Sequence, residues 1–144
     1  MDRLTAAPLL GAVLLVALAG CDAALSDPDV ARIGSVSIAA APAGADGAPV
    51  FVRLMTPFDT TETGAGAGPY PLALATASEI GVATTDGPFA GDALVVEVVR
   101  CDAGCAAPAV IGRATVGPDA WRGAERTVEA AGVAVRIPFR KTTS

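Results

Sequence analysis

The sequence contains no histidine, and this absence restricts its chemistry more than any residue that is present. Histidine is the commonest general base, the commonest metal ligand and the side chain whose ordinary pKa lies nearest neutral pH. The chain therefore lacks the usual groups of a catalytic triad, a zinc site or a neutral pH switch. We predict no catalytic residue, no metal ligand and no cofactor.

Lysine and aromatic residues are also scarce. Lys141 is the only lysine, aromatic residues make up 4% of the chain, and the net charge is −5. The sequence has no basic patch of the kind that would indicate nucleic-acid binding. Sugar-binding faces usually present stacked aromatic rings, whereas this chain offers Trp121, which we expect to be partly buried, Tyr70 and four phenylalanines. This composition disfavours a carbohydrate-binding face.

No apolar run is long enough to cross a membrane as a helix. The longest, 4–20, carries no charge but includes Thr5, Pro8 and Gly11. A spanning helix needs about 20 apolar residues, so this run falls short. A short apolar run near the start, preceded by Arg3, is typical of the helical h-region of a cleaved signal peptide.

The apolar run ends in Leu18-Ala19-Gly20-Cys21. A branched residue at −3, small residues at −2 and −1 and cysteine at +1 resemble the lipobox of bacterial lipoproteins. The resemblance implies that Cys21 receives a diacylglycerol and that a peptidase cuts between Gly20 and Cys21, where only small side chains fit beside the scissile bond. The alternative is an ordinary signal peptide that happens to precede a cysteine.

The resemblance also implies an address and a division of the chain. Residues 1–20 would be the cleaved signal peptide, 21–32 the lipidated cysteine with a flexible tether, and 33–144 a single domain. Two or three acyl chains anchor a protein stably, so we expect the mature chain to face the periplasm from a membrane. In enterobacterial lipoproteins an aspartate at +2, here Asp22, favours retention in the inner membrane; the alternative is that Asp22 simply begins the tether.

From Ile33 onward, apolar residues recur at every second position, as in half-buried strands. The alternation is clearest in 50–55, 94–100 and 133–139. Pro138 has no donor and belongs on an edge or at a strand's end, so we expect 133–139 to be a terminal edge strand. The other predicted strands are one beginning at Ile33 that includes Val36 and Ile38, then 72–76, 80–84, 110–116 and 127–130.

Seven or eight short strands separated by glycine- and proline-rich loops predict an all-β fold. The preferred arrangement is a small antiparallel β-sandwich of about seven strands, immunoglobulin-like or similar, and the alternative is a small closed barrel. The one helical candidate is 118–126, which a turn or a single helical turn fits as well.

The loops carry few signs of ligand chemistry. The glycine-rich segment 61–69 lacks the Gly-Lys-Ser/Thr ending of a phosphate-binding loop and is interpreted as a flexible loop. Asp46-Gly47 and Asp86-Gly87-Pro88 are typical of turns. The carboxylates of Asp59, Asp86 and Asp92 have the oxygen ligands that calcium prefers, but their spacing does not match a calcium loop.

The remaining cysteines, Cys101 and Cys105, flank Asp-Ala-Gly directly after a predicted strand. In an oxidising compartment this spacing predicts a disulfide that staples a hairpin tip, with Gly104 supplying a positive φ. Redox catalysis usually employs C-x-x-C at a helix start. Metal binding would need two further ligands, which only carboxylates are left to provide.

Two classes of function remain. The first is an anchored, non-catalytic domain that binds an envelope protein or a cell-wall component, or that is an accessory subunit of an envelope complex. The second is an enzyme that uses carboxylates, serine, threonine or arginine, for which Asp59, Glu79, Glu97 and Arg53 are the candidates. No site is visible in the sequence, which favours the first class. Glu97, flanked by valines, is expected on the solvent side of its strand.

Overall fold

The computed structural model describes residues 30–83, 93–117, 121 and 123–142. Within these ranges the chain forms strands and turns, and no helix there is long and apolar enough to cross a membrane. The predicted all-β class is confirmed for this part of the chain. The predicted signal peptide, Cys21, Asp22 and the predicted turn at Asp86 lie outside the described residues.

In the described part of the chain, nine strands form two antiparallel sheets that pack on each other as a β-sandwich. The first sheet has the order β4-β1-β8-β7, with β9 also paired to β1, and the second has the order β3-β2-β5-β6. The strands are β1 (Val30–Ile38), β2 (Val50–Met55), β3 (Thr60–Glu62), β4 (Leu72–Ala83), β5 (Leu94–Asp102), β6 (Ala107–Val116), β7 (Glu125–Ala130), β8 (Val133–Pro138) and β9 (Arg140–Thr142).

The core lies between the two sheets and is aliphatic. The inner face of the second sheet is formed by the alternating apolar residues of β2 and β5, as the period-two pattern predicts. Their side chains are fully buried: Val50, Val52, Leu54, Leu94, Val96 and Val98. The first sheet contributes Ile33, Ile38, Ile80, Val135 and Ile137 to the same core. Each of these strands is stabilised because its apolar face is buried against the opposite sheet.

The first sheet departs from the predicted boundaries at two strands. β1 begins at Val30, three residues before the expected start at Ile33. β4 is one strand of twelve residues, where 72–76 and 80–84 were expected as two. A register shift opposite Gly34 separates its halves, and there Ser78 bonds to Thr61 of β3 in the other sheet and Thr76 pairs with Thr63, just after β3. β4 thus closes one side of the sandwich.

The strand predicted at 133–139 is not at an edge of its sheet, so the predicted terminal edge position was wrong. β8 lies between β1 and β7, and Pro138 ends it. The N–H of Phe139 donates to the carbonyl of Ala124, just before β7, so by alternation a donor at position 138 would face β1. The β1 ladder is interrupted there, between Ser37 and Arg32. Proline fits this interior strand because its missing donor falls in that gap.

The helical candidate 118–126 is not helical where it is described. Glu125 and Arg126 belong to β7, because their partners in β8 extend the sheet to this point. Trp121 is 2% exposed and packs edge-on against Phe139, with ring centroids 5.2 Å apart. Burial of this aromatic surface makes Trp121 part of the main core. Residues 118–120 and 122 lie outside the described part.

Candidate functional site

The outer face of the second sheet carries a row of alternating charges, which we call the charged row. It consists of Glu62, Arg53, Glu97 and Arg113. Register places Glu62 opposite Arg53, Arg53 opposite Glu97, and Glu97 opposite Arg113, one residue from each of the four strands. Opposite charges on neighbouring strands stabilise the pairing, and the row has no net charge.

Arg53 is the centre of the charged row. Its Nε donates to Glu62 Oε1 at 2.8 Å, and its Nη1 donates to Glu97 Oε2 at 3.0 Å. Arg113 Nη1 lies 3.9 Å from the second oxygen of Glu97. The hydrogen bond with Glu62 raises the pKa of Arg53 above its usual value, with Glu97 adding to the effect. Arg53 is therefore a permanent cation that orients two carboxylates.

Glu97 does not lie in solvent, so the expected exposed position was wrong. The residue is only 8% exposed although it points away from the core. Long side chains on both neighbouring strands cover it, and one of them, Arg53, supplies a compensating charge. A carboxylate is tolerated in such a place only when it is paired. The alternation correctly predicted that Glu97 points away from the core, but it did not predict that neighbouring side chains would cover it.

An apolar patch adjoins the charged row toward the end of the sheet. Phe51, Val99 and Cys101 form a small buried cluster on this outer face, separate from the main core. Val110 lies opposite Val99 and is 52% exposed. The Arg53 guanidinium lies 5.7 Å from the centre of the Phe51 ring, within the range of a cation–π contact. Charged and apolar groups therefore meet at Arg53.

A disulfide joins Cys101 and Cys105 at the tip of the β5–β6 hairpin, as predicted. Gly104 has a φ of +67°, which confirms the expected role of this glycine. Ala103 and Cys105 also lie in the left-handed region, at +51° and +70°. Non-glycine residues adopt this region at a cost, so the bridge holds a turn that the chain alone would disfavour.

The loop before β2 is fastened to this hairpin by Arg100. The Arg100 Nη1 donates to the carbonyl of Gly44 at 2.9 Å and lies 3.6 Å from Asp46, while its Nε contacts Asp102 at 2.9 Å. The predicted Asp46-Gly47 turn is present, with both residues at positive φ. The hairpin tip and the loop therefore form one supported edge at this end of the sandwich.

The glycine-rich segment packs on β2 instead of forming a phosphate cradle. Gly66 exchanges two backbone hydrogen bonds with Val50, each 2.9 Å long. A Cβ at Gly66 would lie 3.1 Å from both terminal carbons of Leu72, so a larger residue here would require the Leu72 side chain to shift. The segment therefore extends the rim of the second sheet.

A shallow depression of about 250 Å³ lies between the charged row and the disulfide. Phe51, Arg53, Glu62, Cys105 and Pro108 contribute to its lining. This volume is below the roughly 300–1,000 Å³ of typical ligand pockets. The depression suits one side chain of a partner better than an enclosed small molecule.

The four residues nominated for catalysis are not brought together. Arg53 and Glu97 meet in the charged row, but Asp59 lies in the β2–β3 turn, where its Oδ1 accepts the N–H of Thr60 at 2.8 Å. Glu79 lies in the first sheet and is bonded to Arg140 at 3.1 Å. Within the described ranges no three acidic or cysteine side chains cluster as a metal site. Asp86 and Asp92, nominated for calcium, lie outside those ranges.

Sequence reasoning missed the charged row as a unit. Each member stands on a strand with an outward parity, yet Glu62 belongs to a three-residue strand that no alternation marks, and Arg113 lies beyond a bulge in β6. The available signal was that both Arg53 and Glu97 have outward positions on strong strands.

No family model matches this chain, and a search of curated proteins finds no match to it.

Proposed function

We propose that this protein is a lipid-anchored domain of the bacterial cell envelope that faces the periplasm and binds an envelope protein. The observation that carries the anchor is the Leu18-Ala19-Gly20-Cys21 sequence after an uncharged apolar run. Asp22 favours the inner membrane as the site of attachment. The Cys101–Cys105 disulfide supports this address, because such bonds persist in oxidising compartments such as the periplasm.

The outer face of the second sheet is the proposed binding surface. Its exposed Val110, its paired charges and its depression offer apolar contact together with fixed polar positions. This mixture is typical of protein interfaces. A sugar chain is the weaker candidate, since Trp121 is buried in the core and Phe51 is almost covered. The balanced charge of the row gives no attraction for nucleic acid.

Replacement of Cys21 by serine tests the anchor. The Cys21→Ser protein is expected to lose metabolic lipid labelling and to leave the membrane fraction, because the thiol is the atom that carries the lipid. Cys105→Ser is the matched control and is expected to keep both properties. If the Cys21→Ser protein still carries lipid and sediments with membranes, the anchor proposal is wrong.

Photo-crosslinking in cells tests the binding face. A photoreactive residue replacing Val110 or Arg113 is expected to give a discrete protein adduct, whereas one replacing Arg136 on the first sheet is the control and is expected to give none. The adduct should weaken when Arg53→Glu reverses the centre of the charged row. Equal adducts from both sheets, or none from either, would refute the assignment of this face.

A further inference from the structure

The β2–β3 turn, 56–59, presents an apolar tip. Phe58 is 76% exposed, which makes it the most exposed large apolar side chain among the residues described, and Pro57 precedes it. An aromatic ring that is mostly exposed gains little of the favourable free energy of burial, so its position on the fold is informative. The turn is short and its strands are paired, which fixes the direction in which Phe58 projects.

The backbone donors of this turn are satisfied from within it. The N–H of Thr56 bonds to the carbonyl of Asp59 at 2.8 Å, and the Thr56 hydroxyl accepts the N–H groups of Phe58 at 3.3 Å and Asp59 at 3.0 Å. Pro57 has no N–H, and Thr60 donates to the Asp59 carboxylate at 2.8 Å. A tip without unsatisfied donors enters an apolar environment at a lower dehydration cost.

Strand register places this turn at the end of the sandwich where the described chain begins. Thr61, just after the turn, bonds to Ser78 of β4 at 3.0 Å. From there β4 runs on to Ala83, which lies opposite Val30. The disulfide hairpin lies at the other end, since Arg100 pairs with Val50 and β5 begins beside Met55. Phe58 and the disulfide are thus at opposite ends.

Basic residues are grouped at the same end as Phe58. Arg32, Arg140 and Lys141 are exposed on the paired ends of β1 and β9, with Arg32 directly opposite Arg140. Glu79 partly offsets them by its bond to Arg140, and the Asp59 carboxylate adds a second negative charge in the turn itself. This grouping contrasts with the net charge of −5 for the chain as a whole. Exposed cations at the same end as an exposed aromatic ring are a combination that anionic headgroups attract.

We infer that this end of the sandwich rests on the bilayer, with Phe58 in the headgroup layer and Arg32 and Lys141 against anionic lipid. The inference rests on the proposed lipid anchor at Cys21. The nine residues from Cys21 to Val30 span at most about 30 Å when fully extended, so the anchor keeps this end near the membrane. The disulfide hairpin then faces away from the bilayer, and the outer face of the second sheet, with the charged row, lies to the side of the bilayer, available to a partner.

The test compares Phe58→Trp with Val110→Trp in the full lipidated protein, reconstituted into vesicles of phosphatidylethanolamine and phosphatidylglycerol. Both substitutions replace exposed apolar side chains, Phe58 at the end where β1 begins and Val110 toward the disulfide hairpin. Buried Trp121 adds the same background fluorescence to both variants. Nitroxide groups attached near the lipid headgroups are expected to quench Phe58→Trp severalfold more than Val110→Trp. Adding Arg32→Gln and Lys141→Gln should reduce the difference in these vesicles and leave it unchanged in neutral phosphatidylcholine.

The outcomes separate this inference from the anchor on which it rests. Equal quenching of the two variants in protein that floats with the vesicles would overturn the orientation and leave the anchor standing. Failure of the lipidated protein to float with vesicles would overturn the anchor, and the orientation with it. Strong quenching of Val110→Trp alone would show the opposite end on the membrane.

Discussion

The two faces of the second sheet are built from the same strands yet are stabilised in different ways. The inner face is purely aliphatic, with Val52, Leu54 and Val96 fully buried against the other sheet. None of the described strands covers the outer face, and there Arg53 and Glu97 bury each other. Burial on the inner face needs only apolar area, whereas burial on the outer face needs a specific partner.

This difference teaches how an exposed sheet face becomes a specific surface. Apolar packing is non-directional, so the inner face tolerates rearrangement of similar volumes. Ion pairs and a disulfide hold their atoms in one geometry, and on the outer face they surround the depression lined by Phe51 and Cys105. The outer face is therefore suited to recognition, and the inner face to stability.

The largest expected effect separates the two faces on a single strand. Leu54→Ala should lower the free energy of unfolding by about 2–5 kcal/mol, because it leaves a cavity in the closed core. Met55→Ala, on the partly exposed outer side, should cost less than about 1 kcal/mol. Urea unfolding followed by circular dichroism measures both. Similar losses would show that the two faces are not distinguished by burial.

Removal of the disulfide should have an intermediate effect. The variant with both Cys101→Ser and Cys105→Ser is expected to lose about 2 kcal/mol, because so short a loop restricts the unfolded chain only modestly. Reducing agent should destabilise the native protein by a similar amount and leave the double variant unchanged. Alkylation of both Cys101 and Cys105 in native protein before reduction would show that the disulfide is not formed.

The smallest expected effect lies in the charged row. Arg53→Gln should cost about 1–2 kcal/mol, since Glu97 would lose its closest partner while staying covered. Arg113→Gln is the matched control and should cost less than about 0.5 kcal/mol, because that side chain is 62% exposed and its pair is long. Thermal unfolding of both variants measures the difference. Equal costs would show that Glu97 is not specifically held by Arg53.

Alternation in the sequence predicted much of the fold. The inner positions of β2, β5 and β8 were identified correctly because a period of two survives wherever one face of a strand is covered. The Cys101–Cys105 bridge was also predictable, because the spacing of the cysteines and the glycine between them define a hairpin tip. The three-residue β3 was not predicted, since three residues carry no measurable period.

The candidate site was predictable only in fragments. The outward positions of Arg53 and Glu97 followed from their strands, but the pairing of Glu62 with Arg53 required knowing which strands are neighbours. The interior position of β8 was missed for the same reason. Pro138 was compatible with an edge or with an interrupted ladder, and only the neighbouring strand distinguished the two.

By itself, the sequence determined the all-β class, the apolar inner faces and the disulfide, because each depends on residues close together in the chain. The tertiary structure alone decided that four charges form one row, that Glu97 is covered, and that Phe58 lies at the end where β1 begins. Those features depend on strand order and register. Neither is encoded in any local pattern, because the pairing of distant strands is selected by how the whole core closes.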